Sequence, residues 1–403
     1  MSGMGSAAIC DYKRLFAAYV LGLLGTGIAV VALSLLAYDI AGAGAPAIIA
    51  TALSIKSVAY ILCAPVGAVL SGHVPRRPLL IGLDLVRVAA ILTLPLAQSL
   101  WQIYLAVLVF TVASALFTAT YQAVVPTLIS DERSYSLAVS KSRVVGELEG
   151  TASPMIAAAL LVVLSVRGLF LAAMFAFICS AVLIARTRLP ASERPRGEPV
   201  WARLGRGARL LLGVPQLRFL IPVNLAVATG IAMVMVNTVV LVQADYGSGP
   251  RTTAILLGVM GFGSVSGALA MPATVARFGL RRTMLSACGL VIAALALGPF
   301  AGGPLGLSGL WFGIGLGAGL AMTPALMVIR RYTPPADQAQ VYAAHFALTN
   351  ASLLLGYAAT GAISGILEPD AAFASLAALA FAASLAAARV WRGEVAPRVQ
   401  QTK

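Results

Sequence analysis

The chain has 403 residues, of which 60% are hydrophobic and only 10% charged, and its mean hydropathy is +0.93. An average soluble domain carries about 25% charged residues, so this composition excludes an ordinary water-soluble fold. The net charge of +14 would suggest nucleic acid in a soluble protein. Here the placement of the basic residues explains it more simply, and no nucleic-acid partner is expected.

Crossing a bilayer takes about 20 mostly apolar residues in a helix. Stretches of that kind recur at 15–37, 46–71, 79–97, 101–125, 141–164 and 169–185, and again at 219–242, 252–276, 283–300, 305–329, 341–367 and 371–390. They predict an all-α polytopic membrane protein with twelve transmembrane spans, numbered here 1 to 12. Span 1 follows Asp11, Lys13 and Arg14 and is too long for a signal-peptide core, so it reads as a retained crossing. Connections such as 41–45 and 301–303 are very short, which makes consecutive spans antiparallel neighbours.

Basic residues gather in alternate loops: Lys13/Arg14, Arg76/Arg77, Arg133/Lys141/Arg143, Arg186 to Arg218, Arg277/Arg281/Arg282, Arg330/Arg331 and the tail from Arg389. The other loops hold only Arg167 and Arg251. By the positive-inside rule, both termini and the central loop face the cytoplasm. The predicted domains are an N-terminal six-helix bundle (1–185), a basic linker (186–218) and a C-terminal six-helix bundle with a short tail (219–403). In the linker, Trp201, Leu204, Ala208 and Leu211 oppose Arg203, Arg206 and Arg209. That pattern predicts an amphipathic helix on the inner membrane surface.

An internal repeat appears at an offset near 205. Arg76-Arg77 between spans 2 and 3 matches Arg281-Arg282 between spans 8 and 9, and Asp131 falls opposite Asp337. Two pseudo-symmetric bundles around a shared cavity are the expectation. Glycines cluster in span 8 (Gly258, Gly261, Gly263, Gly267) and span 10 (Gly313, Gly315, Gly317, Gly319). Small residues let helices approach closely, whether for tight packing or for sliding.

Ionisable groups inside a membrane are expensive, at about 2.5–3.5 kcal/mol each on insertion scales. Lys56 lies near the middle of span 2, Glu147 and Glu149 early in span 5, and Asp84 and Arg87 in the first turns of span 3. Spans 7 to 12 hold no comparable acid. Residues at i and i+2 point about 200° apart on a helix, so the two glutamates have different tasks. Glu147 is i+4 from Arg143 and reads as part of a cytoplasmic charge lock, together with Asp84 and Arg87. Glu149, deeper and within reach of Lys56, reads as a proton carrier or else as a static buried ion pair. Tyr60, Tyr121, Gln122, Asn224, Asn237, Tyr342, His345 and Asn350 lie at depths where they either line a cavity or join helices.

A lone intramembrane histidine is a poor metal site, and the four scattered cysteines imply neither a metal nor a disulfide framework. No metal or cofactor is expected. The chain has no Gly-Lys dipeptide and so no ATP-binding loop of the Walker type. With two histidines and no nucleophile–base constellation, it does not read as an enzyme.

These features resemble the major facilitator superfamily over essentially the whole length. The stretch GAVLSGHVPRRPLL after span 2 is similar to the family's loop signature, with Arg76 and Arg77 as its basic pair and Gly72 where the family carries an acid. Asp84 is a candidate substitute for that acid. The second copy, GALAMPATVARFGLRR, keeps Gly267, Arg277, Gly279, Arg281 and Arg282. Ser153-Pro154 stands where the family's exporters carry Gly-Pro. The strings AYDIAG, TALSIKSVAY, RVVGELEGTASP and VNTVVLVQ resemble a bacterial branch that includes nickel-resistance exporters. The resemblance implies a monomeric secondary transporter of a bacterial inner membrane, exporting a small molecule in exchange for protons. A divalent-metal exporter and a siderophore or metabolite exporter are the alternatives.

Overall fold

The computed structural model describes residues 6–97, 99–128, 142, 145, 153–189, 200–334 and 337–391. Hydrocarbon offers no water to backbone N–H and C=O groups, so apolar runs satisfy themselves as helices. No strand occurs among the described residues. The first half contains α1 (Ser6–Ala41), α2 (Ala45–His73), α3 (Arg76–Thr93), α4 (Leu100–Leu128), α5 (153–160) and α6 (Val166–Ala185). A short helix α7 (Val200–Gly213) precedes α8 (Leu220–Val240), which runs on into a π-turn at Leu241–Asp245.

The stretch Pro250–Ala296 is helical throughout except at Gly279, whose φ of 80° lies in the left-handed region that favours glycine. That residue divides the stretch into α9 (250–278) and α10 (280–296). The last three helices are α11 (Pro304–Tyr332), α12 (Gln338–Ser364) and α13 (Pro369–Val390). Proline opens α9, α11 and α13, where its missing N–H costs nothing.

Among the described residues, ten helices are long and apolar enough to cross a membrane. Pro250–Ala296 counts once there yet holds spans 8 and 9, and most of span 5 lies outside the described residues. With α5 as the described end of span 5, the count agrees with twelve crossings. Large apolar side chains in helix middles point outward, as lipid requires: Phe175 on α6 is 67% exposed and Leu269 on α9 is 76% exposed.

Two compact units form, Met1–Val200 with Val236–Gly261, and Trp201–Met235 with Phe262–Lys403. In the first, α1 packs along α6, α2 along α4, and α3 against both α4 and α6. Leu15, Leu80, Phe117, Tyr121, Val124 and Ile184 fill its core. In the second, Trp391 just after α13 meets the ring of Phe219 before α8 and that of Tyr332 at the end of α11. Helices α9 and α11 touch backbone to backbone, because a Cβ on Gly263, Gly267 or Gly319 would run into the facing main chain.

The expected amphipathic helix is α7. Its Gly207 sits against the Gln340 carbonyl with no room for a side chain, Leu211 is buried, and Arg206 lies 4.0 Å from Asp337. One face of α7 is therefore docked on the start of α12.

Candidate functional site

One arginine of each basic pair acts at a helix end. An Arg77 guanidinium nitrogen donates to the Ala185 carbonyl at the end of α6. In the second unit Arg281 donates to the Ala388 carbonyl near the end of α13, at 3.0 Å. Both satisfy carbonyls that a helix terminus leaves orphaned, at the end where its dipole favours a cation. Arg14 does the same for Arg186, at 2.9 Å. Arg76 is buried, and Arg282 is exposed.

Asp84 and Arg87 form a buried ion pair in the first unit, with exposures of 0% and 2%. Because α3 begins at Arg76, Arg87 lies eleven residues along it, about 16 Å at the helical rise. Ser180 on α6 donates to the second Asp84 oxygen at 2.8 Å. The Arg87 guanidinium carbon is 4.1 Å from the Phe117 ring centroid and 4.5 Å from that of Phe177. A buried charge pair is tolerated only with good geometry and further partners, and the hydroxyl and the two aromatic faces supply them. On α1, Gly22 leaves the space that Arg87 occupies.

Arg87 also borders a narrow crevice shared with Tyr19, Thr26, Tyr60, Ser114 and Thr118. It leaves essentially no space for a water-sized sphere, so it is closed to a ligand. Tyr121 is fully buried, its ring stacked on Tyr19 with centroids 4.0 Å apart and its hydroxyl 2.8 Å from the Ser142 hydroxyl. The neighbouring Gln122 is exposed. Lys56 is half-buried on α2, with its ammonium 5.8 Å from the Tyr60 ring centroid.

In the second unit the polar centre is uncharged. The Asn224 amide nitrogen on α8 donates to the Leu220 carbonyl at 2.8 Å and lies 3.3 Å from His345 Nε2 on α12. An amide nitrogen only donates, so Nε2 is the acceptor in this arrangement. Thr349 donates to the Asn224 amide oxygen at 3.0 Å, which closes the triad. Asn237 is buried on α8, and Asn350 is half-buried, donating back to the Phe346 carbonyl.

The structure thus groups Asp84 with Arg87, and Asn224 with His345. It adds Ser180, Phe117, Phe177, Tyr19 and Thr349, which the sequence reading did not single out. Arg143, Glu147 and Glu149 lie outside the described residues, as do Asp131 and 190–199. Among the described residues no cluster of three metal-ligating side chains occurs.

No curated protein matches the chain. Solved structures share its fold at low identity. The nucleoside transporter NupG aligns with a TM-score of 0.73 and 12% identity over 95% of this chain and 100% of that one. A POT family transporter in complex with a thioalcohol-conjugated peptide gives 0.71 and 12%, over 93% and 94%. A bacterial homolog of the human lysosomal transporter Spinster, inward-facing and unoccupied, gives 0.70 and 13%, over 96% and 95%. The family model of the Major Facilitator Superfamily matches residues 15–304 and 220–403, which together take in nearly the whole sequence. With that match, and with its repeated helical halves, the chain belongs to the Major Facilitator Superfamily.

Proposed function

We propose that the protein is a secondary active transporter that exports a small molecule from the cytoplasm by alternating access, driven by protons. The family match across both halves of the chain is the observation that carries this reading. Similarity to solved transporters of nucleosides and peptides supports an organic solute, and Ser153-Pro154 at the exporter-type position supports the outward direction. The moving parts in this reading are residues 1–185 and 219–403, joined by 186–218 with both termini cytoplasmic. The chain works as a monomer in a bacterial inner membrane.

Coupling is assigned to Glu149 with Lys56: the acid is ionised when paired and neutral when desolvated. Tyr60, Tyr121, Gln122, Asn224, Asn237, His345 and Asn350 supply the polar lining for substrate. Arg76, Arg77, Asp84, Arg87, Arg143, Glu147, Arg281 and Arg282 form the cytoplasmic charge lock.

The test is reconstitution into liposomes with an imposed proton gradient and a panel of amphiphilic drugs, nucleosides, carboxylate-rich chelators and nickel. Gradient-dependent movement of one class supports the reading and selects the substrate. In Glu149→Gln that movement is expected to lose its dependence on the gradient. Proton-coupled movement unchanged in this variant removes Glu149 from the scheme, and no movement of any solute removes the transport reading.

A further inference from the structure

The arginines that bond a carbonyl beyond their own helix are of two kinds. Arg14, Arg77 and Arg281 each bond a helix-end carbonyl from their own half of the sequence. Arg251, the second residue of α9, does not. Its Nε donates to the Leu161 carbonyl at 2.8 Å and its Nη2 to the Val162 carbonyl at 2.9 Å. All three residues belong to the first compact unit, yet the acceptors come from residues 1–185 and the donor from 219–403.

The bond also lies at the other end of the helices from the basic loops. From the turn at Leu161, α6 runs to Ala185, where Arg77 binds. From Arg251, α9 runs to Arg277 and the Gly279 break. Beyond residue 160 the α5 ladder ends, so the Leu161 and Val162 carbonyls belong to the orphaned, partly negative terminus of a helix. A guanidinium is the side chain that reaches two such oxygens at once with its planar fork.

Two turns further along both helices, α5 and α9 meet again. Gly258 lies seven residues, about two turns, beyond Arg251 on one face of α9, and Met155 lies near the described start of α5. A Cβ on Gly258 would stand 3.4 Å from Met155 Cα and 3.2 Å from its Cγ. The contact is therefore a seam two turns long, with Arg251 fastening its end.

We propose that Arg251 is a latch on the face away from the basic loops, holding α5 and α9 together while that face is closed and releasing when it opens. The inference rests on the alternating-access reading, and its test needs no substrate. Spin labels are placed at Val163→Cys and Ala244→Cys, both exposed positions, in protein with Cys10, Cys63, Cys179 and Cys288 replaced. Double electron–electron resonance then reads the distance distribution.

Arg251→Ala is expected to raise the ratio of long to short distances about tenfold or more, the factor that one charge-assisted hydrogen bond commands. Arg251→Lys, which keeps the charge but not the fork, is expected to fall between Arg251→Ala and the parent. Gly258→Leu, a wedge in the seam, shifts the ratio the same way. Should Arg251→Ala fail to fold, Arg251→Lys and Gly258→Leu decide. Distributions identical to the parent overturn the latch even if transport persists. A shift in a protein that moves no solute supports the latch and sinks the transport reading instead.

Discussion

The two units solve the same problem, a polar centre inside a membrane protein, with different chemistry. The first buries a full ion pair, Asp84 with Arg87, and surrounds it with a hydroxyl from Ser180 and the rings of Phe117 and Phe177. The second uses Asn224, His345 and Thr349, joined by single hydrogen bonds. Desolvating two charges is far more costly than desolvating an amide, so the first centre needs the larger supporting cast. The consequence is a difference in fragility. Removing one member of the charged centre exposes a bare ion to a low-dielectric interior, whereas removing one member of the neutral centre leaves only unsatisfied dipoles.

Thermal unfolding of purified protein in detergent sharpens or breaks that contrast. Arg87→Ala is expected to give the largest loss, about 3–5 kcal/mol, because it leaves the buried Asp84 carboxyl without its partner. The double variant Asp84→Asn with Arg87→Met is expected to recover most of that loss. A double variant as damaged as the single one breaks the comparison. Asn224→Ala comes next, at about 1–3 kcal/mol, since it strips an acceptor from Thr349 and a donor from His345. If it matches Arg87→Ala, the neutral centre is no less demanding than the charged one. The smallest effect is expected for Arg77→Ala and Arg281→Ala, at about 0.3–1 kcal/mol each, as both remove a cation from a helix C-terminus. Losses of similar size in the two variants show that a helix-end arginine is worth the same in both units, and a large inequality shows that it is not.

Much of the fold was legible from the sequence because hydropathy records burial in lipid directly. The apolar runs located the helices, and the charge asymmetry of the loops ordered them. The i,i+3 spacing of Asp84 and Arg87 put both on one helix face, so their pairing was legible as well.

Partners across the fold were the least visible. Ser180 lies 96 residues from Asp84 and looks like any other hydroxyl in a helix. The acceptors of Arg77, Arg281 and Arg251 are main-chain oxygens, which every residue carries, so no residue type marks them. The Asn224–His345 contact joins two residues that were each legible as polar, but their meeting depends on how α8 packs against α12.

The break at Gly279 also constrains how the chain is made and handled. Two membrane crossings meet there through a single non-helical residue, so a protease has no strand of polypeptide to grip and an inserted epitope no slack to occupy. Arg277, Arg281 and Arg282 crowd around the same joint. Spans 8 and 9 are therefore joined without slack, with that cluster of positive charge at the joint itself.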